Sequence, residues 1–193
     1  MHTWVWGALY PTFMDALFPL AALPTQVAGR NRMMRKIAID GIRHDPEFKT
    51  GNYTSNPRGL RTALSIMAWM SSSPLKWQEA YPDRESADEF IDDYIDLGMQ
   101  MNDANDFAYA FDASWDYDPR PKLGEIKAPL TAVNFADDQV NPPELGILEA
   151  EIKKVKGGEA VVKPISDLTV GHATHTVAEV WMDDLERLLE RSK

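Results

Sequence analysis

The last third of the chain alternates between strand-like and helix-like segments, and this order constrains the fold more than any other feature. Apolar runs at residues 128–135 and 159–165 predict two strands. Residues 143–156 and 174–191 have the periodicity and the end signals of helices. A strand–helix–strand–helix order is typical of parallel strands joined by right-handed crossovers. The sequence therefore predicts an α/β fold built on a parallel sheet.

The loops that follow the two predicted strands carry side chains suited to acid–base chemistry. Asp138 lies in residues 135–143, and His172 comes directly after Gly171. Because the carboxyl ends of parallel strands meet at one edge of a sheet, we expect a ring nitrogen of His172 about 2.6–3.2 Å from the Asp138 carboxylate. A carboxylate in that position fixes the imidazole tautomer and stabilises the imidazolium during proton transfer. We therefore predict Asp138 and His172 as the acid and the base of a Ser-His-Asp triad.

The adjacent acid Asp137 raises a simpler interpretation of this loop. Asp137 and Asp138 could both be solvated loop acids, one of them capping the helix near Pro143. The strand before the loop, the helix after it and the pairing with the His172 segment favour a catalytic role for Asp138. Asp137 is predicted to be a structural acid.

The spacing of His172 and His175 raises a second alternative, because a His-x-x-His pair can bind a metal ion. However, the sequence marks no third ligand, and the pair lacks the glutamate of the His-Glu-x-x-His pattern. We therefore predict no metal site and no cofactor, and we interpret His175 as a helix-start residue near the pocket.

The nucleophile of such a triad is not evident, because the sequence contains no Gly-x-Ser-x-Gly. Residues 1–11 are predicted to be helical and resemble the helix that follows a nucleophile elbow. Residues 16–22 predict a buried strand, although the prolines on either side weaken that prediction. The expectation from these features is a C-terminal piece of an acyl-transferring or hydrolysing enzyme whose nucleophile lies upstream of Met1.

The middle of the chain is predicted to be mostly helical. Helices are expected near residues 29–43, 57–71, 85–101 and 103–114, with turn signals between them. We therefore predict three segments along the chain. They are the start of the α/β core at residues 1–29, a helical cap or lid insertion at residues 30–118, and the C-terminal α/β core at residues 119–193.

Charge and composition exclude several classes of partner. The 193-residue chain has a formal net charge of −10, which argues against a nucleic-acid partner, since phosphate binding needs clustered lysine and arginine. No apolar stretch is long enough to span a bilayer, so no membrane partner is expected. The absence of cysteine excludes disulfides and thiolate chemistry. We expect a soluble protein, with the cytoplasm as the favoured compartment, although a targeting signal upstream would not be visible.

Several segments together resemble the C-terminal part of the α/β-hydrolase superfamily, and within it the homoserine O-acetyltransferase-like branch. The Asp-Ala-Asn segment in the long helical region is the most specific to that branch. The segments that carry the resemblance are residues 44–53, 57–60, 103–107, 138–143 and 171–172.

The resemblance implies a partial α/β-hydrolase fold with a helical cap insertion, in which Asp138 is the triad acid and His172 the triad base. In such enzymes a serine accepts an acyl group from a small-molecule donor, often acetyl-CoA, and passes it to an alcohol or to water. A homo-oligomer is a further possibility that the resemblance leaves open. Members of the branch usually carry an arginine shortly before Asp-Ala-Asn, whereas residues 98–102 contain none, so homoserine is not implied as the acceptor. Two alternatives are a non-catalytic binding module and one half of a two-chain α/β-hydrolase.

Overall fold

The computed structural model describes all 193 residues and divides the chain into two compact units. The α/β unit comprises Met1–Gln26 and Asp116–Lys193, and the helical unit comprises Val27–Trp115. No helix in either unit is both long enough and apolar enough to cross a membrane.

The sheet of the α/β unit contains two regular parallel strands, β1 (Leu130–Phe135) and β2 (Gly158–Lys163). Their register runs from Leu130 opposite Gly158 to Phe135 opposite Lys163. Every residue of β1 is buried, as expected for a strand covered on both faces, whereas β2 is partly exposed. The two predicted strands are confirmed, with ends that differ by up to two residues.

The predicted strand at residues 16–22 is only partly correct. Leu17 and Leu20 form isolated parallel bridges to Leu130 and Val133 of β1, but no regular ladder develops. Two features of this segment explain the irregularity. Pro19 has no N–H to donate, and Ala21 adopts a left-handed backbone with φ of 46°. An extended but irregular segment therefore lies on the other side of β1 from β2.

The helices of this unit complete its core. Helix α1 (His2–Leu9) contributes Trp4, which is fully buried and donates from Nε1 to the carbonyl oxygen of Ala22 at 2.9 Å. Helix α8 (Ala178–Arg191) is amphipathic and buries Leu188.

The predicted helix at residues 143–156 is wrong as a single element. It consists of the 3₁₀ segment Pro143–Leu145, helix α7 (Ile147–Glu151) and the 3₁₀ segment Ile152–Lys154. Gly146 separates the first two with a left-handed φ of 64°, which an α-helix cannot contain. The predicted helix from residue 174 likewise begins later, at Ala178, because Gly171–Thr176 is a 3₁₀ segment.

The helical unit contains five α-helices around an apolar core. They are α2 (Gly29–Arg43), α3 (Gly59–Ser71), α4 (Pro74–Ala80), α5 (Arg84–Met101) and α6 (Ala104–Asp112). Helix α4 was missed, because the Ser-Ser-Ser-Pro run before it indicates a break. In the structure, Ser73 caps this helix and Pro74 occupies its first turn, where a missing N–H costs nothing.

Helices α2 and α3 approach each other through two glycines. A Cβ on Gly59 would overlap the carbonyl oxygen of Gly41, so the two backbones touch where the helices cross. Around this crossing, apolar side chains of α2, α3, α5 and α6 form one cluster, which includes Ala38, Ile42, Leu60, Leu64 and Ile95.

The segments of the helical unit that carried the resemblance bind one another. Asp103 caps helix α6 and accepts from the Tyr53 hydroxyl at 2.7 Å, and that hydroxyl in turn accepts from the backbone N–H of Asn105 at 2.9 Å. The Asn105 side chain donates to the carbonyl oxygen of Gly51 at 3.0 Å. The Asp-Ala-Asn segment thus connects residues 51–53 to the start of helix α6.

Candidate active site

Asp138 and His172 lie together in the α/β unit, as predicted. Nδ1 of His172 is 3.0 Å from Oδ2 and 3.1 Å from Oδ1 of Asp138. Asp138 follows β1 after two residues, and His172 follows the segment that leaves β2. The Asp138 side chain is fully buried, whereas that of His172 is 28% exposed. One partner is therefore shielded from water, and the other remains accessible.

Backbone donors fix the Asp138 carboxylate. Its Oδ1 accepts from the N–H groups of Val140 at 2.8 Å and Asn141 at 2.9 Å. A buried carboxylate needs such bonds, because burial without partners is strongly unfavourable. A carboxylate held in this way is only an acceptor, so His172 donates from Nδ1 and its Nε2 carries the lone pair. That is the tautomer a general base requires.

Asp137 contacts the backbone of the histidine loop rather than a ring. Its Oδ2 accepts from the N–H of Gly171 at 2.9 Å, and Gly171 adopts a left-handed φ of 66° that favours glycine. Its other oxygen, Oδ1, is buried without a hydrogen-bond partner. Asp137 therefore connects the acid loop to the residue that precedes His172.

Further hydrogen bonds hold the histidine loop from its other side. Nδ1 of His175 lies 2.6 Å from the carbonyl oxygen of His172, and Nε1 of Trp181 donates to the carbonyl oxygen of His175 at 3.1 Å. The hydroxyl of Thr174 accepts from the N–H of Val170 at 2.8 Å. These hydrogen bonds restrict the backbone around His172 and so limit the positions that its ring can take.

Two buried asparagines that the sequence reasoning missed support the acid loop. Asn134 donates from Nδ2 to the carbonyl oxygen of Asn141 at 2.7 Å, and Asn141 donates from its own Nδ2 to the carbonyl oxygen of Ala21 at 2.7 Å. The available signal was Asn134 itself, an amide side chain in a predicted strand that is apolar apart from Asn134 and Thr131. Buried amides of this kind are retained where their hydrogen bonds define a geometry.

The arrangement supplies an oriented imidazole but no bonded nucleophile. The His172 ring forms its hydrogen bonds with Asp138, and no serine or threonine hydroxyl bonds to it. No group of three or more His, Asp or Glu side chains is arranged to hold a metal ion. The chemistry that these residues can perform is proton transfer at Nε2 of His172.

Comparison with known proteins shows which sequences the chain resembles. It matches no protein-family model. It is 26% identical to a homoserine O-acetyltransferase of Pelobacter propionicus, over 74% of this chain and 44% of the relative. A homoserine O-acetyltransferase of Trichlorobacter lovleyi is also 26% identical, with the same shares covered. The chain thus spans less than half the length of these curated relatives.

Comparison with solved structures shows the fold. The homoserine O-acetyltransferase of Bacillus anthracis superposes with a TM-score of 0.80 at 19% identity, over 95% of this chain and 55% of that one. An acetylester hydrolase of Corynebacterium glutamicum gives a TM-score of 0.75 at 20% identity, over 97% and 57%. The chain has part of an α/β-hydrolase fold. Within that class its sequence is similar to the homoserine O-acetyltransferases, as predicted.

Proposed function

We propose that Asp138 and His172 are the acid and the base of a Ser-His-Asp site for acyl transfer or hydrolysis. The observation that carries this proposal is the contact of His172 Nδ1 with a buried carboxylate that two backbone N–H groups orient. The similarity to homoserine O-acetyltransferases supports the same reaction class.

In the proposed reaction, Nε2 of His172 takes the proton of a serine as the serine oxygen attacks an acyl carbonyl. The protonated ring then gives that proton to the leaving group, and an acyl-serine remains. An alcohol or water, deprotonated by the same nitrogen, attacks the acyl-serine and releases the product. Asp138 stabilises the imidazolium in both steps without itself taking the proton.

The serine and the oxyanion donors would come from residues outside the 193 described here, on the same polypeptide or on a partner chain. The reason is geometric, since no hydroxyl of this chain bonds to the His172 ring. The proposed donor is a small acyl ester or thioester, of which acetyl-CoA is the first to test. Because residues 98–102 contain no arginine, the proposed acceptor is water or an alcohol without a carboxylate.

The reading frame before the Met1 codon provides the first test. In-frame codons for Gly-x-Ser-x-Gly support a single-chain enzyme, whereas a stop codon supports the two-chain or the non-catalytic alternative. In the longer polypeptide, His172→Ala should lower kcat by about 10⁴–10⁶-fold and Asp138→Asn by about 10⁴-fold. His44→Ala, at an exposed position of the helical unit, is the matched control. An unchanged kcat in His172→Ala would overturn the proposal.

The purified 193-residue chain provides a second test. It should not turn over p-nitrophenyl acetate in a manner that depends on His172. Turnover that His172→Ala abolishes would show that this chain contains its own nucleophile, and the proposed external serine would then be wrong.

A further inference from the structure

Two neighbouring histidines of the α/β unit each have Nδ1 engaged and Nε2 without a hydrogen bond. Nδ1 of His172 contacts Asp138 at 3.0 Å, and Nδ1 of His175 lies 2.6 Å from the carbonyl oxygen of His172. A carbonyl oxygen can only accept, so His175 donates from Nδ1. In both rings the lone pair is therefore on Nε2.

This arrangement is the one found around metal-bound histidines. Such residues almost always donate the other ring N–H to a carboxylate or to a backbone carbonyl, which fixes the tautomer and raises the basicity of the ligating nitrogen. His172 has the carboxylate partner, and His175 has the carbonyl partner. The His-x-x-His spacing alone did not predict a metal site. The structure adds the hydrogen bonds that the two Nδ1 atoms make, one to a carboxylate and one to a backbone carbonyl oxygen.

The distance between the two ring centroids is close to that of two imidazoles on one ion. Their centroids are 5.4 Å apart, with planes tilted by 59°. Two imidazoles on one tetrahedral Zn²⁺, each with a Zn–N bond of about 2.0–2.1 Å, place their centroids about 5 Å apart. His175 is exposed and the His172 side chain is 28% exposed, so an ion can reach the pair from solvent.

We propose that His172 and His175 bind one Zn²⁺ or a similar divalent transition-metal ion through their two Nε2 atoms. Imidazole nitrogen favours zinc, copper and nickel over magnesium or calcium. With two protein ligands and water in the remaining positions, the ion is exchangeable, unlike the ion of a four-ligand structural site.

Binding has a consequence that rests on the proposed function. An Nε2 that coordinates a metal ion cannot take a proton from a serine, so the ion would switch off the base reversibly. The binding itself does not depend on that function, because it needs only the two rings and their partners.

Titration of Zn²⁺ into the metal-free 193-residue chain by calorimetry tests the site. We expect one ion per chain, and ¹⁵N-edited spectra in which the Nε2 signals of His172 and His175 shift together. His175→Gln should weaken binding by more than about tenfold, and Asp138→Asn by about 10–100-fold through loss of the outer partner. His44→Gln, which changes an exposed histidine of the helical unit, should bind like the parent chain.

Unchanged affinity in His175→Gln, loss of affinity in His44→Gln, or Nε2 shifts confined to other histidines would overturn the metal site. The spectra of the unsubstituted chain decide the matter even if a variant fails to fold. In a polypeptide that contains the serine, Zn²⁺ should inhibit acyl transfer. Binding without inhibition would leave the metal site intact and overturn the role of His172 as base.

Discussion

The α/β unit buries charged side chains, whereas the helical unit buries none. Asp137, Asp138 and Asp184 are each 5% exposed or less and all belong to the α/β unit. The buried polar residues of the helical unit are three serines, at positions 72, 73 and 114. Burial of a carboxylate is unfavourable unless hydrogen bonds or charges compensate it. The α/β unit is therefore the one in which hydrogen bonds hold buried carboxylates in defined positions, and the candidate site lies there.

Polar motifs of the helical unit have a different role. Tyr53, Asp103 and Asn105 lie at or near the surface and join a turn to a helix start. These residues carried part of the resemblance in sequence, yet in the structure they stabilise local backbone. The Asp-Ala-Asn motif therefore has a structural role within the helical unit.

The largest predicted effect on stability concerns the packing of the helical unit. Gly→Ala at a position that alanine can occupy without a clash ordinarily stabilises by about 0.4–1 kcal/mol, because it reduces the freedom of the unfolded chain. At Gly59 the added Cβ would overlap the backbone of Gly41. Gly59→Ala should therefore reverse that sign and lower the free energy of unfolding by about 3 kcal/mol.

Amide hydrogen exchange in residues 27–115 measures this loss of stability, which should appear as faster exchange of the slowest amides in Gly59→Ala. Gly124→Ala in the α/β unit is the control, because its nearest non-local atom would be 3.9 Å from the new Cβ. A Gly59→Ala variant more stable than the parent chain would show that the backbones of α2 and α3 leave room for a Cβ where the helices cross.

A smaller effect is expected at the buried acid that holds the histidine loop. Asp137→Ala leaves the N–H of Gly171 without its acceptor and should lower the free energy of unfolding by about 1–3 kcal/mol. Asp137→Asn keeps an acceptor oxygen and should lose less than half as much. Denaturant unfolding compares the two variants, and equal losses would mean that the charge of Asp137, rather than its hydrogen bond, matters.

The smallest predicted effect tests the surface motif. Tyr53→Phe removes the hydroxyl between Asp103 and Asn105 and should lower the free energy of unfolding by about 1 kcal/mol near neutral pH. The hydrogen bond from Tyr53 holds the pKa of Asp103 below its ordinary value, so its stabilisation is present above about pH 4. That stabilisation is lost as the pH falls through the lowered pKa.

The stability difference between Tyr53→Phe and the parent chain should therefore shrink in acid. Unfolding measured at several pH values down to the acid range checks this trend. A difference that stays constant with pH would mean that Asp103 does not depend on Tyr53.

The contact between Asp138 and His172 could be predicted from the sequence because the relevant rule is topological. Loops that follow neighbouring parallel strands must meet, so Asp138 and His172 could be paired without knowing any side-chain contact. The same rule could not predict the hydrogen bond between Asp137 and Gly171. Nor could it predict the hydrogen bonds of Asn134 and Asn141. They depend on side-chain direction within a folded loop, which periodicity does not encode.

The errors in secondary structure have similarly local causes. Pro19 and the left-handed Ala21 interrupt a segment whose apolar character predicts a strand. Gly146 divides a segment whose periodicity predicts one helix. Helix α4 is only seven residues long and begins at a serine–proline sequence that indicates a break. In each case one or two residues decide the local structure against the averaged pattern of the segment.

The tautomer of His172 tests the central claim most directly, and ¹⁵N-edited NMR of the histidine rings measures it without any substrate. At a pH where histidine is ordinarily neutral, His172 should carry its proton on Nδ1 only, whereas exposed His44 should show a mixture. In Asp138→Asn the amide can donate to Nδ1, so the proton should move to Nε2. A mixed His172 tautomer that Asp138→Asn leaves unchanged would contradict the account.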